Sequence, residues 1–88
     1  MITISNSLDW AAAETQINNL KRKMPTHASD IEKLKCRIAA KIKDLSLAEI
    51  DVRCNKSHGA KMRCAKHVTN INADFNMLAK YHLMALLS

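Results

Sequence analysis

The chain has almost no material for turns. Its 88 residues include one glycine, Gly59, and one proline, Pro25. Sheets need frequent tight turns built on such residues, so the composition argues against a β architecture. Aromatics are nearly missing too: Trp10, Phe75 and Tyr81 are 3% of the chain. No glycine-rich loop is available to cradle a nucleotide phosphate. No apolar run reaches the ~18–20 residues of a membrane span. Cysteine is limited to Cys36, Cys54 and Cys64. An odd count without dense spacing does not make a disulfide framework and fits a reducing compartment. Met1-Ile2-Thr3-Ile4-Ser5 lacks the basic start and long apolar core of a secretory leader. The expected location is therefore the cytoplasm, of a bacterium or of a host cell if the chain is phage-encoded. Acids are missing from one long stretch, between Asp51 and Asp74.

What remains is a helical composition. Hydrophobic residues make up 48% and charged residues 25%, which suits a folded domain rather than a disordered chain. Residues 1–88 are read as one all-α domain. A chain this short buries only about 60–65% of its unfolded surface, so a partner adds useful stability. Helices are expected over 8–24, 30–54 and 58–87, with a break near 45 as an alternative. They form a three-helix bundle, or a long helical hairpin with the N-terminal helix packed on it.

Local signals support these bounds. Asn6 or Ser7 caps the first helix, and Trp10, Ala13, Ile17, Leu20 and Met24 form its seam. Pro25 stops it. Ser29-Asp30-Ile31-Glu32 reads as a capping box opening the second helix, and Ser46-Leu47-Ala48-Glu49 as another. Unbroken periodicity from Ile31 to Val52 favours one continuous helix. Asn55-Lys56-Ser57-His58-Gly59 marks the second turn, with Ser57 as cap. The third helix carries a seam of Cys64, Val68, Ile71, Phe75, Leu78, His82 and Ala85. Lys41 falls on the second helix's seam, where its stem is expected to reach out to water.

The second helix carries two apolar stripes. One is Ile31, Leu34, Ile38, Ile42, Leu45, Ala48 and Val52; the other, roughly opposite, is Cys36, Ala40, Leu47, Ile50 and Cys54. Two opposed faces place a helix between neighbours, or between its own core and a partner. The chain's end, His82-Leu83-Met84-Ala85-Leu86-Leu87, is apolar nearly all round. Candidate protein-contact residues are therefore Leu47, Ile50, Met77, Leu83, Met84 and Leu87. Methionine suits irregular partner surfaces. The plainer reading buries both patches within the bundle.

The net charge is +6. Arg53, Lys56, Lys61, Arg63 and Lys66 cluster around the second turn, with His58 and His67. An antiparallel layout crowds them at one pole, where they attract phosphates or an acidic protein. The plainer reading is a solvated face. Leu47-Ala48-Glu49-Ile50 followed by Cys54-Asn55-Lys56-Ser57 resembles the opening of a helix-turn-helix motif. That resemblance puts Asn55 at the left-handed turn and presents Lys61, Arg63 and Lys66 to a DNA groove. It departs from the pattern at Asp51 and Lys61. Cys54, His58, Cys64 and His67 have ligand chemistry suited to zinc, at a spacing of no standard finger. Cys64 also sits on the apolar seam, where a buried thiol is ordinary, and His82 reads as a core-edge histidine. No other cofactor is implied.

The expected function is non-enzymatic. It is that of a small regulatory or adaptor protein acting by protein–protein contact, such as a phage-type inhibitor of a host system or a small chaperone or secretion-system subunit. The alternative is nucleic-acid binding through the basic pole. Expected partners are a larger protein, a nucleoprotein complex, nucleic acid or a second copy of the chain.

Overall fold

A computed structural model describes residues 3–87. Met1 and Ile2, part of the stretch read for a leader, lie outside the described residues. The helices are α1 (Trp10–Lys23), α2 (Ala28–Asn55) and α3 (His58–Leu87), with 3-10 turns at Ser7–Asp9 and Pro25–His27. No strand occurs among the described residues.

The molecule is a rod, 48 × 17 × 16 Å. α2 and α3 form a long antiparallel hairpin. Arg63 pairs with Asp51 at 3.0 Å, while Lys41 and Arg37 pair with Asp74 farther from the turn. α1 is about half as long and fills the hairpin's groove. Lys35 donates to Asn18 at 3.0 Å and Lys21 donates to Glu32. The Lys21 ammonium holds the Glu32 carboxyl below its usual range. Ahead of α1, Asn72 brackets Ile4: its Oδ1 accepts from the Ile4 amide at 2.9 Å and its Nδ2 donates to the Ile4 carbonyl at 3.0 Å.

The core joins Ile4, Ala13, Ile17, Leu20 and Met24 to Ile31, Ile38, Ile42 and Leu45, and to Ile71, Phe75, Leu78 and Tyr81. It occupies the part of the rod that α1 covers. Beyond Leu45, toward the turn, α2 has no fully buried side chain.

Several local expectations need correction. The Ser29–Glu32 capping box does not form. The 3-10 turn at Pro25–His27 runs straight into α2, leaving Ser29 inside the helix. Glu32 is drawn instead to Lys21 and to the Cys36 thiol. At the Ser46–Glu49 box α2 continues unbroken, as the periodicity from Ile31 to Val52 favoured. Glu49 works across the fold, accepting from both the amide and the hydroxyl of Ser7. The left-handed residue at the second turn is Lys56 (φ 50), not Asn55, and Gly59 lies within α3. Ser57 caps α3 by accepting from the Ala60 amide at 3.1 Å. Lys41 does not run out to water: its ammonium meets Asp74 at 2.6 Å. Asp74 is 3% exposed on the core side of α3, and the Arg37 guanidinium at 3.3 Å supplies a second positive charge. His82 is half-buried at the core edge, as its sequence position suggested, while the neighbouring Tyr81 is buried with its ring 5.3 Å from that of His27.

Candidate functional site

The apolar residues read as contact candidates are at the surface. Leu47, Ile50, Met77, Leu83, Met84 and Leu87 are all exposed, so the described chain does not bury them in its own bundle. They do not make one patch. Leu47 and Ile50 sit on the outer face of α2, near the turn. Leu83, Met84 and Leu87 sit at the far pole. There the end of α3 runs beside the last turns of α1, with His82, Ala85 and Leu86 next to Asn19, Leu20 and Lys23, and exposes apolar side chains on several sides. Leu86 and Leu87 are 82% and 85% exposed. Met77 lies two turns before Met84, on the same side of α3 by helical spacing.

Three exposed residues extend the sequence-based set: Leu8, Met62 and Leu86. Leu8 follows the Asn6 cap and falls outside the α1 seam, which was the available sign. Met62 lies opposite the α3 seam. Leu86 belongs to the apolar tail and lies three residues after Leu83, which was the available sign.

The hairpin does bring Arg53, Lys56, Lys61, Arg63 and Lys66 to one pole, and all are exposed. Arg63 is held by Asp51. Beside this pole an open cavity of about 550 Å³ lies between the first 3-10 turn, the end of α2 and the start of α3. Leu8, Val52 and Cys64 give it an apolar wall, and Arg53 and Lys61 stand at its edge. Burial, with the carboxylates of Glu49 and Asp51, pushes the Cys64 thiol up and keeps it protonated. A protonated thiol is a poor nucleophile and a poor metal ligand.

The helix-turn-helix geometry is not formed. That motif sets two short helices at roughly 90–120° across a three- or four-residue turn. Here two residues, Lys56 and Ser57, join helices that run back along one another. Lys61, Arg63 and Lys66 therefore flank a long hairpin rather than projecting on a recognition helix. The zinc arrangement is not assembled either. Cys54 and His58 are exposed, whereas Cys64 turns toward Val52 and Glu49. No three His, Cys, Asp or Glu side chains among the described residues gather as a metal site would require.

No helix among the described residues is long and apolar enough to cross a membrane. No known protein family matches the chain, and no curated protein or solved structure is detectably similar to it.

Proposed function

We propose that the chain is a helical adaptor or regulatory protein that docks on a larger protein through the apolar end of α3. The observation carrying this reading is the exposure of Leu83, Met84, Leu86 and Leu87 around the end of α3, although that end packs beside α1. Apolar side chains gathered at one site favour burial against a partner by about 25 cal/mol per Å². Flexible Met84 adapts to the shape it meets. The basic pole steers encounter with an acidic surface.

The test is affinity capture from native cells with the full chain and with the double variant Leu83→Asp/Leu87→Asp. Both positions are exposed, so the fold is retained. A stoichiometric partner should fall at least about tenfold in the variant, as expected when interface anchors are lost. Equal recovery with both chains overturns the reading.

A second reading is nucleic-acid binding at the other pole. It rests on Arg53, Lys56, Lys61 and Lys66, which are exposed and have no carboxylate partner among the described residues. Four phosphate contacts give a log–log salt slope of about −3 to −4. No gel shift with DNA or RNA at low salt removes this reading.

A further inference from the structure

We propose that the outer face of α2 is the contact surface of an antiparallel homodimer, in which α2 of one copy lies along α2 of a second. Cys36, Ala40, Lys43, Leu47, Ile50 and Cys54 follow one another at steps of four, three, four, three and four. Such alternation is the seam of a coiled coil. All six are exposed. Ile31, Ile38, Ile42 and Leu45 on the inner face are already committed to α1 and α3. The chain thus supplies one partner-facing seam more than its own fold uses.

The occupant follows from the seam's symmetry. Its steps read identically in both directions about Leu45. With a two-fold axis at that height, Cys36 faces Cys54 of the other copy, Ala40 faces Ile50 and Lys43 faces Leu47. A small side chain meets a large one at the Ala40 level, the complementarity that close packing needs. A parallel pair would stack Ala40 on Ala40 and leave a void. It would also press Lys43 against Lys43.

Charge favours the same arrangement. The antiparallel pair sends the two turns, each with exposed Arg53, Lys56, Lys61 and Lys66, to opposite ends of the dimer. A parallel pair brings them side by side. Arg37, Asp44 and Asp51 each follow a seam residue and so line one flank. Across the axis, Arg37 of each copy comes opposite Asp51 of the other, each also holding a partner in its own chain, Asp74 and Arg63 respectively. Asp44 meets its own counterpart at the axis, where both Lys43 ammonium groups are near enough to offset the repulsion. Leu47 and Ile50 are the only large apolar residues in the seam, so the interface is small. We expect dissociation on the order of 10 µM.

The test uses the full chain with Cys64→Ser, leaving Cys36 and Cys54. These two are 18 residues apart on one helix, about 27 Å, far beyond disulfide reach within a chain. Sedimentation equilibrium from about 5 µM to about 1 mM should give a monomer–dimer transition. Copper-catalysed oxidation should give a dimer whose peptides join Cys36 to Cys54. Chains keeping only one of the two cysteines should crosslink at least tenfold less. Leu47→Glu/Ile50→Glu should abolish the dimer with an unchanged circular-dichroism spectrum. The proposal is overturned by a monomer throughout, or by efficient dimers of single-cysteine chains. A dimer lost in Leu83→Asp/Leu87→Asp but kept in Leu47→Glu/Ile50→Glu also overturns it and moves self-association to the α3 end.

Discussion

The two halves of the hairpin are built to different depths. From Ala28 to Leu45, α2 is covered by both α1 and α3 and buries Ile31, Ile38, Ile42 and Leu45. From Ser46 to Asn55 it meets α3 and the first 3-10 turn, and Val52 is only half-buried. Opposite it, α3 buries Ala60 and then nothing until Ile71. The same helix pair thus runs from a closed three-helix core into an open two-helix arm. The first half stores the stability. The second carries the basic residues, the open cavity and the least apolar cover. Local opening should concentrate there, and backbone amides near the turn should exchange faster than those around Ile38 and Leu78.

The largest test of this contrast is a pair of truncations. Ile38→Ala removes a side chain with no exposure from the three-helix part, and it should cost about 2–5 kcal/mol in chemical denaturation. Val52→Ala in the arm should cost under about 1 kcal/mol, because little surface is buried and the site relaxes into solvent. Equal losses would show that the arm is as closed as the body.

Lys41→Met sharpens the boundary. Asp74 is almost inaccessible, and the substitution leaves it with Arg37 alone, at 3.3 Å. Removing one partner of a buried pair costs about 3–5 kcal/mol. Here Lys41 is one-third exposed and Arg37 remains. Solvent screening therefore lowers the expected cost to about 1–2 kcal/mol. Asp74→Asn should recover part of it in the Lys41→Met background, since the uncompensated charge is then gone.

The all-α fold was legible because seam periodicity and punctuation agreed. Ile31, Ile38, Ile42 and Leu45 repeat at helical spacing, Pro25 ends α1, and Ser57 supplies a cap. What was hidden depended on neighbours distant in sequence. Glu32 has good capping geometry on paper but lies within reach of Lys21 from α1. Glu49 imitates a second box and instead holds Ser7, 42 residues away. Asp74 resembled an ordinary surface acid until the hairpin set it against Lys41 and Arg37. The exposed apolar residues were legible as positions left over from a seam. Whether the fold itself covered them depended on which faces of α2 and α3 the other helices pack against, which no single helix's sequence sets.

Lys56→Gly probes the arm alone. Lys56 holds φ 50, a left-handed conformation in which a side chain is strained and glycine is not. The substitution should be neutral or stabilise by up to about 1 kcal/mol, because glycine's greater freedom in the unfolded chain opposes the relief. Its effect should appear as slower exchange near the turn, with little change around Ile38.

The smallest expected effect lies at the other end and reads how dry the body is. His82 sits beside Leu20, Lys23 and Leu86, and its Nε2 is buried without a hydrogen-bond partner. Burial, reinforced by the Lys23 ammonium, lowers its pKa below the usual 6.5. The folded state therefore prefers neutral imidazole. The unfolded chain takes up the proton first, so the contribution of His82 is fully present above about pH 6.5 and is lost as pH falls through the lower folded value. His82→Gln keeps a polar group there but cannot titrate. The stability difference between the two proteins, followed by urea denaturation, should shift against the parent as pH drops below about 6.5. Parallel curves would mean that water reaches the ring, and the contrast between a closed body and an open arm would then have to be redrawn from Leu20 onward.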